Sequence, residues 1–130
     1  MDFLMNRIAN STNQFQGSYK RVLCVCSAGL LRSPTTALVL SQPPYNYNTR
    51  AAGLTKEFAL VPVDPVLLHW ADEIVCMNSE QAEELRSLLG DDETSIVVLD
   101  IEDSYRYRDP VLIEQIKAAY DKHLEETNAN

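Results

Sequence analysis

The sequence predicts an α/β fold, a parallel sheet covered by helices. Three observations predict it. Short apolar runs rich in β-branched residues alternate with segments of helical periodicity, so strands and helices interleave as βαβ units. The run from Val22 to Cys26 is continuously apolar or small, as a strand buried on both faces is. The chain has 130 residues, 45% hydrophobic and 23% charged, which suits one compact domain with a core of its own.

The elements follow in order. Residues 1–20 are polar with scattered apolar positions and read as an N-terminal extension, a segment suited to contacts with the domain or a partner. The domain itself is expected to span 21–130. Val22 to Cys26 is the first strand, and Ser27 to Leu31 a small, glycine-containing loop. Ser33-Pro34 reads as a helix start, with Ser at N-cap and Pro at N1. Ala37 to Leu40 continue that helix until Pro43-Pro44 ends it. Tyr45 to Ala52 forms a second strand closed by Gly53. A helical turn or two follows around Val66, Leu67 and Leu68, then a third strand from Ile74 to Met77. Ser79 starts a helix with Ala82, Leu85, Leu88 and Leu89 at helical spacing, and Gly90 stops it. Ile96 to Ile101 is the fourth strand, and Glu102 to Arg108 a loop. Asp109-Pro110 opens the last helix in N-cap and N1 style, with Leu112, Ile116, Ala119, Tyr120 and Leu124 as its buried stripe.

Charge and cysteine content narrow the function. A net charge of -8 argues against a partner that is nucleic acid or an anionic membrane. No apolar run reaches membrane-spanning length, and the N-terminus lacks the basic and apolar blocks of a signal peptide, so a cytoplasmic protein is expected. The three cysteines, Cys24, Cys26 and Cys76, form no C-x-x-C pair and meet no histidine cluster; no metal or other cofactor is expected. His69 and His123 have no spacing that pairs them with a nucleophile, and packing or surface roles are expected for both.

One segment carries chemistry: Cys26-Ser27-Ala28-Gly29-Leu30-Leu31-Arg32-Ser33-Pro34, a Cys-x5-Arg loop between a strand and a helix. A short loop ending on a helix start aims successive backbone N–H groups at one point, an anion-binding nest reinforced by the helix dipole. That field favours a thiolate at Cys26. Arg32 closes the ring with a planar fork matched to two phosphate oxygens. Ser33 is placed to hydrogen-bond the thiolate, and Gly29 permits backbone angles that a Cβ would forbid. Of the three cysteines, Cys26 alone has an arginine six residues on; Cys24 has Leu30 there and Cys76 has Ala82.

With VLCVCSAGLLRSP, TRAAGL, ADEIVCMNSEQAEEL and LDIEDSYRYRDP in that order, the chain resembles the low-molecular-weight protein tyrosine phosphatases, over roughly residues 21–125. The resemblance implies three layers with a central four-stranded parallel sheet flanked by helices, and a phosphate-binding loop after the first strand. It implies a metal-free, two-step reaction on a phosphorylated protein or peptide. Cys26 would form a phosphocysteine, and an aspartate would protonate the leaving oxygen and then activate water.

Chemistry asks for that carboxylate at the carboxyl end of a strand, near the anion site. Asp103 and Asp109 lie in the loop after the fourth strand, with Asp100 at its edge. The family's I-x-D-P-Y pattern aligns with Ile101-Glu102-Asp103-Ser104-Tyr105, which favours Asp103, though its proline is Ser104 here. Asp109-Pro110 restores a D-P pair and leaves Asp109 as the alternative acid, or as the helix cap. Tyr105 and Tyr107 are candidates to wall a phosphotyrosine slot or to pack as ordinary loop aromatics.

The loop departs from the family's C-x-G-N-x-C-R-S: Ala28 and Gly29 replace Gly and Asn, and Leu31 replaces the second Cys. Arg50 stands for a Ser, Asn78 for an Asp and Lys56 for an aromatic. With that wall altered, dual specificity that includes phosphoserine and phosphothreonine stays open. Two other functions compete. Arsenate reductase shares the fold and anion loop but needs further cysteines to resolve an arsenic adduct. VLCVCSAG also resembles the loop of sugar-transport IIB domains, which carry phosphate on cysteine without hydrolysing it. Arg32-Ser33-Pro34 with Asp103 argues for hydrolysis.

Overall fold

The computed structural model describes residues 19–27, 32–55, 61–101 and 109–128. Among the described residues four strands and four helices alternate: β1 (Arg21–Cys26), α1 (Arg32–Leu40), β2 (Asn48–Gly53), α2 (Pro65–Trp70), β3 (Glu73–Cys76), α3 (Ser79–Leu89), β4 (Ser95–Val98) and α4 (Pro110–Asn128). The strands form one sheet in the order β2-β1-β3-β4, with every pairing parallel. Val25 lies opposite Ala52 on one side and Cys76 on the other, so β1 is central.

Side-chain alternation on β1 divides the core into two. Val22, Cys24 and Cys26 face a cluster with Ala37, Val39 and Leu40 of α1 and with Leu112, Ile116 and Tyr120 of α4. Leu23 and Val25 face the opposite cluster, with Leu67 and Leu68 of α2 and Leu85 and Leu89 of α3. Burial on both faces explains the unbroken apolar character of this strand. The chain runs from β1 to β2 on one side and then returns to build β3 and β4 on the other. This reversal puts the switch in strand order between β1 and β3, and ligands of such sheets bind at the carboxyl ends of the strands there.

Helix ends follow local chemistry. Asp64 caps α2 through Leu67 N–H at 2.9 Å, and Asn78 caps α3 through Gln81 N–H at 2.8 Å. Gly90 ends α3 with a φ of 60°, a backbone angle that favours glycine. Asp109 accepts from Val111 N–H at 2.8 Å, the capping role its sequence context suggests.

Several boundaries differ from the sequence expectation. Helix α1 begins at Arg32, so Ser33 is a helical residue and not the N-cap. Its hydroxyl bonds tertiary partners instead. Strand β2 begins at Asn48, not Tyr45, because the Tyr45 and Asn46 N–H groups turn back onto the Gln42 carbonyl. Strand β3 runs from Glu73 to Cys76, one residue earlier at both ends than expected. Strand β4 stops at Val98, where Asp100 then adopts a φ of 59°, although Leu99 and Ile101 N–H groups still bond the Cys76 and Met77 carbonyls.

The amino end of the sheet holds a buried polar cluster. Tyr120 Oη donates to Glu73 at 2.8 Å, and Lys20 Nζ reaches both Glu73 and Tyr120. Tyr45 and Tyr47 pack against the Tyr120 ring. His123 Nε2 lies 3.8 Å from Glu73. This cluster lies at the end of the sheet opposite the carboxyl ends of β1 and β3, consistent with the structural role expected of His123.

Candidate active site

Cys26 is the last residue of β1 and is 3% exposed. The Cys26 thiol donates to Ser33 Oγ at 3.2 Å, and the Ser33 hydroxyl donates to the Ala52 carbonyl at 3.4 Å. The sulfur therefore sits at the N-terminal end of α1, the positive end of its dipole. Ser33 can turn its proton from Ala52 to the sulfur once the thiol ionises.

Beyond Gly53 the pairing of β1 and β2 continues into the site. Leu54 N–H bonds the Cys26 carbonyl at 3.0 Å, and Thr55 N–H bonds the Ser27 carbonyl at 2.7 Å. These bonds fix the backbone at Cys26 and just after it.

Arg32 is 4% exposed, and its Nη1 donates to the Ile101 carbonyl at 2.7 Å. Burial of a guanidinium at that depth requires such partners. The contact ties the arginine of the Cys-x5-Arg motif to the residue that precedes 102–108, the segment of the expected acid.

A further residue, unmarked by the motif, enters the site. Gln81 on α3 is 5% exposed. Its Oε1 accepts from Met77 N–H at 2.8 Å, and its Nε2 donates to Ser27 Oγ at 3.2 Å. A sequence signal exists for it: Gln81 lies four residues before Leu85, on the helix stripe that the apolar residues mark as buried. A polar residue on a buried stripe needs a partner.

The sequence-derived candidates are distributed as follows. Cys26, Ser27, Arg32 and Ser33 converge at the carboxyl end of β1. Ala28, Gly29, Leu30 and Leu31 of the loop lie outside the described residues, as do Asp103, Tyr105, Tyr107 and Lys56. Asp109 is engaged as the cap of α4. Asn78 is the cap of α3. Arg50 stacks on the Trp70 ring at 3.9 Å, on the α2 side of the sheet. Among the described residues no group of His, Cys, Asp and Glu could hold a metal ion.

The other thiols differ from Cys26 in setting. Cys24 is fully buried; burial first, then the nearby Glu73 carboxylate, push it well above the ordinary thiol range. Burial pushes the Cys76 thiol up to about 11, and its Sγ bonds the Asn78 carbonyl at 3.5 Å. Cys76 belongs to the α2–α3 side of the core, whereas Cys26 belongs to the α1–α4 side.

No protein-family model matches the sequence, and no curated protein matches it. Solved structures do. A low-molecular-weight phosphotyrosine phosphatase from Vibrio cholerae O395 is 19% identical with a TM-score of 0.61, the match covering 83% of this chain and 98% of that one. The tyrosine phosphatase Wzb from Escherichia coli K30, in complex with phosphate, is 16% identical with a TM-score of 0.62 over 83% and 98%. The fold is that of the low-molecular-weight tyrosine phosphatases. The YwlE arginine phosphatase from Geobacillus stearothermophilus shares it at 20% identity and a TM-score of 0.55, over 79% of this chain and 84% of that one. The four-stranded parallel sheet flanked by helices is the architecture that the resemblance of the motifs implied.

Proposed function

We propose that the protein is a cysteine-dependent phosphatase acting on phosphorylated protein, with phosphotyrosine as its main substrate class and phosphoserine and phosphothreonine as secondary ones. The observation that carries this reading is the meeting of Cys26 and Ser33 at 3.2 Å beside the buried Arg32, all at the N-terminus of α1. A phosphoryl group needs that set: a nucleophile, a fork for two of its oxygens and a positive helix end.

In the first step the Cys26 thiolate attacks phosphorus. An S–P bond forms, the P–O ester bond breaks, and Asp103 gives the leaving oxygen its proton. Arg32 holds the equatorial oxygens as charge spreads over them. In the second step Asp103 takes a proton from water, whose oxygen attacks phosphorus. The S–P bond breaks, phosphate leaves and the thiolate returns, stabilised by the Ser33 hydroxyl. Asp103 is preferred to Asp109 because the Asp109 carboxylate is occupied as a helix cap.

The placement of Cys76 on the other side of the sheet, and the full burial of Cys24, disfavour the alternative of arsenate reduction, which needs thiols able to reach the nucleophile. The phosphocarrier alternative makes no use of Arg32 or Asp103.

The test is phosphate release from para-nitrophenyl phosphate and from a panel of phosphotyrosine, phosphoserine, phosphothreonine and phosphoarginine peptides. Wild type is compared with Cys26→Ser, and arsenate with thioredoxin forms a parallel arm. Turnover that Cys26→Ser abolishes is expected. An inactive wild type on every phosphoester would overturn the proposal.

A further inference from the structure

Gln81 has a hydrogen-bond arrangement with no freedom in it. The Met77 N–H can only donate, so the carboxamide oxygen must face it, at 2.8 Å. The amide nitrogen is thereby aimed at Ser27 Oγ, 3.2 Å away, and can only donate there. Ser27 Oγ is the acceptor in this pair, and its own proton is directed away from Gln81. The Ser27 carbonyl is held independently by Thr55 N–H at 2.7 Å. Ser27 is thus gripped from α3 through its side chain and from the β2 extension through its backbone. It is the residue after the nucleophile and the first of the anion loop. Gln81 is itself anchored, since its backbone N–H bonds the Asn78 cap at 2.8 Å and its side chain is buried.

We infer that Gln81 is a positioning residue for the phosphoryl-transfer site: by donating to the Ser27 hydroxyl from α3, it fixes the residue at which the anion loop begins. The inference rests on the phosphatase reading. It has a physical basis in the cost of small displacements, because misplacing a reacting group by about 1 Å can slow a reaction roughly a hundredfold. Gln81 acts through Ser27, and its contribution exists only while Ser27 carries a hydroxyl.

That dependence provides the test. Gln81→Glu and Gln81→Leu are each made in the wild-type and in the Ser27→Ala background, and kcat/KM for para-nitrophenyl phosphate is measured from pH 5 to 8. The carboxylate that Gln81→Glu introduces still accepts from Met77 N–H but offers Ser27 no donor; once protonated, it again presents one acceptor and one donor. In the wild-type background Gln81→Glu is expected to lower kcat/KM at least about tenfold at pH 7. That deficit should shrink as the pH falls toward 5. In the Ser27→Ala background the same change should cost no more than about twofold, the non-additivity of residues that act as a pair.

A charge effect on the anion loop alone would give the same penalty in both backgrounds, and equal penalties overturn the inference. Gln81→Leu carries no charge and gives a second cycle; Gln81→Glu keeps the Met77 acceptor and stands in should the leucine variant not fold. A wild type without Cys26-dependent turnover overturns the phosphatase reading, and this inference with it. An active wild type with additive effects overturns the inference alone.

Discussion

Replacing Ser33 by alanine is expected to separate the two steps of the proposed reaction. Ser33 is fully buried, its Oγ 3.2 Å from Cys26 Sγ and 3.4 Å from the Ala52 carbonyl oxygen. In the proposed first step the sulfur acts as the nucleophile, and a hydrogen bond to it makes it a weaker one. In the proposed second step the sulfur departs as an anion, and the same bond lowers the barrier. A hydrogen bond to a charged group is worth about 1.5–3 kcal/mol, which converts to roughly a 10- to 150-fold fall in kcat. The ratio kcat/KM, which ends at cleavage of the ester bond, should stay within about threefold of wild type. Hydrolysis of phosphocysteine then limits turnover, and stopped-flow release of para-nitrophenolate should show a burst equal to the enzyme concentration. Stability falls modestly, by about 1 kcal/mol or roughly 4 °C in Tm, for the bond lost at Ala52. If kcat and kcat/KM fall together with no burst, Ser33 does not serve the departing thiolate.

Three more outcomes are expected. Asp103→Asn should lower kcat by ~100- to 10,000-fold, whereas Asp109→Ala should cost about 1 kcal/mol of stability through the lost cap of α4; steady-state kinetics and thermal unfolding read the two, and the opposite pattern would reassign the acid. Native protein treated with iodoacetamide at pH 7 should be alkylated at Cys26, with Cys24 and Cys76 modified only after unfolding, as peptide mass spectrometry would show. The thiol contribution to stability should be level near neutral pH and fall above about pH 8: unfolded thiols lose their protons near their ordinary value of about 8.5, while folded Cys76 holds its proton to about 11, so the unfolded state binds fewer protons and gains as pH rises. Cys76→Ala should flatten part of that alkaline decline in Tm.

The order and type of the elements were legible because each strand and helix carries its own local pattern. The run of Val22 to Cys26, the Gly90 stop and the Asp109-Pro110 start all fell where the sequence put them, since capping and periodicity act within a few residues. Element ends were less legible where a tertiary bond competes with a local one. Ser33 has the sequence of an N-cap, yet its hydroxyl is taken by Cys26 and Ala52, and the helix starts at Arg32, two residues before Pro34. Tyr45 to Tyr47 has strand-forming composition, yet the Tyr45 and Tyr47 rings pack on Tyr120 beside a turn.

The candidate nucleophile and its clamp are local properties of the chain. Cysteine, loop length, arginine and helix start lie within nine consecutive residues, so their geometry is set by local chain reach. What holds that loop from outside is a matter of tertiary pairing. The Ile101 carbonyl on Arg32 lies 69 residues away in sequence, and Gln81 on Ser27 lies 54 residues away. A hydrogen bond across such a separation leaves no spacing to read, because it exists only once β1, β3 and β4 have paired and brought their carboxyl ends together. The acidic total of -8 is silent on the site for the same reason: net charge sums the whole chain, whereas the proposed capture of phosphate depends on one buried arginine and the direction of a helix.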